Sequence, residues 1–242
     1  MKSNFGKKPE EIMILAGQEQ DFEKRIQLYK QVATHQKSTQ EQIFAAMSAI
    51  GYQYQNKGDL KEAVEVYQKA IQLKIDPDSP IFCNTVLQYA TALMQNGQAE
   101  SALPLFQSLS KKSTEVQTKK ICLENIAHIY MVEEKYSDAI DVLQNLLRIS
   151  LPTEKLNTKL SMAQTYAKLG NRKDSQAMLE NIHVKDPEEE GALLWTRATI
   201  EETYGNKKEA AKYFQQIVNA NNFQTNVKLS ALFKLINIDL DL

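Results

Sequence analysis

The chain has 242 residues, with 29 basic and 30 acidic side chains and a formal net charge of −1. That balance speaks against binding nucleic acid or an anionic membrane, since both draw on a clustered basic surface. Only 8 glycines and 6 prolines are present, too few for many strands joined by tight turns, so composition favours helices.

Residues 9 to 36 read as a helix pair. "FEKRIQLYKQV" spaces Ile26, Tyr29 and Val32 as one helical face, with Arg25 where later pairs carry a small residue. From Phe44 onward the chain repeats. Ala63, Ala102, Ala139, Ser175 and Ala210 align at separations of 39, 37, 36 and 35 residues. Four residues after each stands a large apolar side chain: Tyr67, Phe106, Leu143, Leu179 and Phe214. Three further on come Ala70, Leu109, Leu146, Ile182 and Ile217. Offsets of four and seven lie on one helix face. Five residues before each small residue is Gly58, Gly97, Glu134, Gly170 or Gly205, a place that suits the left-handed conformation closing a helix. An upstream amphipathic run carries a second small residue, Gly51, Ala90, Ala127, Ala163 or Ala198, which lets the two helices approach closely.

Two places interrupt the pattern. Pro104 falls inside a second helix, which is expected to begin late or bend. The loop "IDPDSP" lengthens the first spacing and could alter the angle between neighbours. At the far end, "TNVKLSALFKLINIDLDL" places Leu229, Leu232, Phe233 and Ile236 at helical spacing. This reads as a capping helix burying that stripe. Leu235, Ile238 and Leu240 lie off it and offer the other reading, a docking or dimer face.

The match is closest at "GDLKEAVEVYQKAIQL", and the whole pattern resembles the tetratricopeptide repeat family. The family's early tryptophan is replaced by Met47, Val86, Leu123, Lys159 and Leu194. The resemblance implies an all-α, right-handed superhelical solenoid of stacked antiparallel helix pairs. The expected organisation is a degenerate N-terminal pair over 1–43 and five repeats over 44–82, 83–119, 120–155, 156–190 and 191–222. A capping helix would follow over 223–242. The resemblance also implies that first helices line a concave groove. Its positions include Tyr52, Asn84, Leu87, Met94, His128, Met131, Gln164 and Trp195 as partner-binding candidates. Among 25 such positions only Glu124, Lys168 and Glu202 are charged, which suits an extended peptide or helix with apolar side chains. The carboxylate clamp of tetratricopeptide co-chaperones needs basic groove residues. Ser48, Tyr52, Gln88, Ile121 and Asn125 stand in one possible frame, and the clamp is rejected.

No catalytic signature is found. His35, His128 and His183 have no second ligand at helical spacing, and glycine-rich phosphate loops and nucleophile elbows are missing. No cofactor or metal is expected, and enzyme activity is not. "DPEEE" at 186 to 190 suits the start of a helix. Cys83 and Cys122 lack paired spacing and read as two buried small side chains. No stretch approaches the roughly 20 apolar residues of a membrane span, and "IMILAG" is too short for an export signal. The chain reads as cytoplasmic, as would an exported chain stripped of its leader. The functional expectation is a non-enzymatic scaffold that binds a protein or peptide segment, with a peptide-sensing regulator as the alternative.

Overall fold

Residues 6–240 are described by the structure, a computed structural model, with side chains up to Ile238. Among them every regular element is helical. The chain forms two units, Met1–Cys122 and Leu123–Leu242. The first holds α1 (Pro9–Gln18), α2 (Phe22–Thr34), α3 (Gln40–Lys57), α4 (Leu60–Ala70), α5 (Pro80–Gln95) and α6 (Ala99–Lys112). The unit boundary falls inside α7 (Val116–Val132). The second unit continues with α8 (Tyr136–Ile149), a single 3-10 turn at Pro152–Glu154, α9 (Lys155–Lys168) and α10 (Arg172–Leu179). It ends with α11 (Pro187–Thr203), α12 (Lys207–Asn219) and α13 (Thr225–Leu240). In the first unit each of α1 to α5 packs on the helix that follows it, and in the second α8 packs on α9, α9 on both α10 and α11, α11 on α12 and α12 on α13, so helix pairs stack in series within each unit.

The small-residue series sets this packing. Ala63, Ala102, Ala139, Ser175 and Ala210 are all fully buried. Opposite them, Ala90, Ala127, Ala163 and Ala198 are buried as well, and so is Gly51. At Gly51 the approach is closest: a Cβ there would sit 2.7–2.9 Å from the ring carbons of buried Tyr67. Ser175 carries a hydroxyl into the same position and satisfies it by donating to the Ala163 carbonyl at 2.8 Å, as a buried polar atom requires.

Turn chemistry follows the sequence. Gly58, Gly97, Gly170 and Gly205 all have positive φ, and Glu134 takes the same left-handed form at φ 59°. Asp186 caps α11 by accepting from the Glu189 amide at 2.9 Å, and Glu188 to Glu190 occupy its first turn, where acidic groups favour the helix dipole. Pro9, Pro80 and Pro187 open helices, where the missing donor costs nothing.

Two expectations need correction. The helix containing Pro104 does not begin late: α6 starts at Ala99, three residues before Ala102, just as α4 starts three before Ala63. Pro104 and Glu100 are exposed, so water can serve the Glu100 carbonyl that proline leaves without a donor. Ile182 does not extend a buried stripe, because α10 ends at Leu179 and Asn181 turns left-handed at φ 54°, a conformation asparagine tolerates. Leu179 is consequently only half-buried.

Gly51→Ala is expected to destabilise the chain by about 1–3 kcal/mol, the usual cost of overpacking. Tyr67→Leu in the same chain should recover part of that loss, since leucine stands opposite alanine at Leu143 and Ala127. Urea unfolding of the single and double variants checks both; an unchanged midpoint for Gly51→Ala would contradict the packing.

Candidate functional site

In the first unit α3 and α5 lie close together, and side chains join them. Ser48 Oγ lies 2.8 Å from Thr85 Oγ1, and buried Thr85 donates to the Ile81 carbonyl at 2.8 Å. Two turns along α3, Gln55 donates to Gln95 Oε1 at 3.0 Å and accepts from the Tyr67 hydroxyl at 3.2 Å. Burial pushes the Tyr67 pKa up, which keeps that hydroxyl a donor. Tyr52 stands one turn from both rungs, on the same face of α3, and is 47% exposed. Met94 is half-buried next to Gln95.

Asn84 is exposed at the start of α5. It lines a groove of about 1210 Å³ together with Pro77, Ile81, Phe82, Cys83 and Leu105, a groove that Tyr52 does not line. The sequence reading missed this groove. Its signal was the "IDPDSP" loop, whose Pro77, Asp78 and Pro80 form part of the wall. Leu87, expected at the surface, is instead buried.

In the second unit His128 is exposed on α7 and Met131 is half-buried. Gln164 on α9 bridges to α11, donating to the Thr196 and Thr199 hydroxyls, each at 3.4 Å. Trp195 is half-buried and meets Phe214 edge-on, with centroids 5.3 Å apart. It belongs to the core between α11 and α12 and supplies packing in an aromatic pair.

The end helix also differs from its reading. Leu235 and Ile238 are buried against α12, with Ala231 fully buried between the helices. Leu229, Leu232, Phe233 and Ile236 are exposed instead. The buried and free faces are therefore exchanged, because Ala231 is the small residue that lets α13 close on α12. The Leu240 side chain lies outside the described residues.

Two tetratricopeptide repeat family models match the sequence, at residues 45–76 and 122–156. These spans coincide with the helix pair α3–α4 and with α7–α8. The chain carries tetratricopeptide repeats. Solved structures share the fold of this repeat protein at low identity. PilF of Pseudomonas aeruginosa has a TM-score of 0.62 at 14% identity, covering 97% of each chain. BtubC from P. vanneervenii has a TM-score of 0.59 at 16% identity, over 73% of this chain and 82% of its own. YrrB, described as a tetratricopeptide repeat protein with an unusual peptide-binding site, has a TM-score of 0.56 at 16% identity, over 81% and 88%. No curated protein sequence matches closely enough to count as a relative.

Among the described residues, no three His, Cys, Asp or Glu side chains converge, and no helix is long and apolar enough to cross a membrane. Both cysteines are free but unlike: Cys122 is buried, whereas Cys83 is half-exposed, which corrects the reading of two buried thiols. Burial pushes the Cys122 thiol up to about 12, so almost none is present as the reactive thiolate near neutral pH. Iodoacetamide is expected to modify one thiol per native chain, at Cys83, and two per denatured chain. Rapid modification of both in the native chain would contradict the burial of Cys122.

Proposed function

We propose that this tetratricopeptide repeat protein is a non-enzymatic scaffold that holds a peptide or helical segment of a partner protein against its first helices, in the assembly of a multiprotein complex. The observation that carries the reading is Tyr52, an exposed ring set between the Ser48–Thr85 and Gln55–Gln95 rungs of one helix face.

The rungs hold α3 and α5 at a fixed separation, so the surface is organised before a ligand arrives, which lowers the ordering cost of binding. Amide groups at Gln55 and Gln95 retain unused donor and acceptor capacity that a peptide backbone can take up. An aromatic ring is the side chain most often found at the energetic centre of an interface. Few charges stand on this face, so an apolar or weakly polar segment suits it better than an acidic tail. In the second unit, Gln164 with the hydroxyls of Thr196 and Thr199 offers a like arrangement. His128 and Met131 supply further contacts there. The likeness to YrrB supports a peptide ligand by analogy of fold.

Selection from a random peptide library displayed on phage, using the full chain as bait, tests the reading. Enriched peptides are expected to lose about tenfold or more in affinity on Tyr52→Ala, the scale of a lost aromatic anchor. Glu65→Ala, an exposed position on α4, should leave affinity unchanged. Peptides that bind the Tyr52 variant as well as they bind the parent chain would contradict the assignment of this face.

A further inference from the structure

Two buried hydroxyls decide which way the hydrogen bonds between α3 and α5 run. Thr85 is fully buried, and its Oγ1 lies 2.8 Å from the Ile81 carbonyl. A carbonyl can only accept, so the Thr85 proton is spent there. The Ser48 hydroxyl, 2.8 Å from the same Oγ1, is then the donor of that pair. Ser48 is left with lone pairs alone to offer outward. It is half-buried, and its side chain has no other partner among the described residues.

Seven residues along α3 the order is reversed. Tyr67 is fully buried, and its hydroxyl has one partner among the described residues, Gln55 Oε1 at 3.2 Å. A buried donor left unmade is costly, so the phenol donates and Gln55 turns its oxygen inward. The Gln55 amide nitrogen therefore faces Gln95 and donates to Oε1 at 3.0 Å. Gln95 is exposed and keeps both of its own N–H donors unused among the described residues. Packing does not ask for the Tyr67 oxygen: Phe106 and Phe214 hold the equivalent places fully buried without one.

We infer that this face recognises the main chain of an extended peptide by hydrogen-bond polarity, accepting an N–H at Ser48 and donating to a carbonyl at Gln95. The inference rests on the proposed peptide-binding role and narrows the ligand from a peptide or helical segment to an extended one. A helix spends its backbone groups on itself. Laid here by an apolar face, it would strip water from Ser48 and Gln95 and return no partner. An extended chain instead carries a free N–H and a free C=O on each residue. Ser48 and Gln55 are seven residues apart, about 10 Å along α3, which about three extended residues span. Tyr52 stands between the two slots, placed to meet a side chain of that stretch.

The probe is the tightest Tyr52-dependent peptide from the phage selection, synthesised and titrated against the full chain by fluorescence anisotropy. Copies are N-methylated at one amide at a time, which removes a single donor. One copy is expected to bind the parent chain about tenfold more weakly, the scale of one lost hydrogen bond. Ser48→Ala should cost the same for the unmodified peptide and nothing further for that copy, a coupling that marks a shared bond. Gln95→Glu keeps the oxygen that accepts from Gln55 and removes the outward donors. It should weaken binding about tenfold at an unchanged unfolding midpoint. Gln55→Glu keeps a bond to Tyr67 and a bond to Gln95 but obliges Gln95 to donate inward. It should weaken binding as much, whereas a merely structural rung would leave affinity intact. N-methyl losses that add to Ser48→Ala at every position would overturn the inference. So would full affinity in either glutamate variant, or a helical bound peptide in isotope-edited NMR spectra. Each arm uses a peptide already shown to need Tyr52, so these failures leave the binding face standing. If no such peptide is found, face and polarity fall together.

Discussion

The structure depends on how closely two antiparallel helices can approach where both present a small side chain. Gly51 facing the Tyr67 ring is the extreme case, with no room for even one methyl group. At the other pairs alanine meets alanine or serine, and all of these positions are buried. Close approach places the large residue four positions along, such as Phe106 or Phe214, directly over the neighbouring helix, where its burial contributes on the order of 2 kcal/mol. The left-handed residue at each turn, glycine in four cases and Glu134 in the fifth, reverses the chain within a few residues. Geometry at the contact and geometry at the turn thus agree, the local consistency expected of a sequence that specifies one fold.

Surface chemistry follows from that contact. When second helices are committed to the seams, the free sides of the first helices remain available. Neighbouring first helices are then linked by short polar side chains: Ser48 to Thr85, Gln55 to Gln95, Gln164 to Thr196 and Thr199. Such links hold the helices without burying charge, which would be costly in a half-buried setting. The groove lined by Asn84 and Cys83 has a different origin, in extra loop residues between two pairs.

Much of the fold was legible because one offset rule recurs: a small residue, then apolar residues four and seven positions on. The rule fails visibly at Ile182, where Asn181 leaves the helix early, and Pro104 proved harmless because its orphaned carbonyl faces solvent. At α13 the same rule holds. Ala231, Leu235 and Ile238 have those offsets and are the buried face, whereas the larger stripe at Leu229 to Ile236 drew attention by hydrophobicity alone. Site residues were less legible. Leu87 holds a groove position yet is buried, and half-buried Trp195 meets Phe214 edge-on, because neighbouring helices decide exposure. Residues whose role comes from a partner helix cannot be ranked from one helix's periodicity.

The most direct test of the central contact is to enlarge it. Leucine placed singly at Ala63, Ala102, Ala139 and Ala210 should each lower stability by about 2 kcal/mol or more, read as the midpoint of urea unfolding. Leucine at the exposed neighbours Glu65 and Gln215 should change it by no more than about 0.5 kcal/mol. Equal midpoints for the two sets would contradict the account at its foundation.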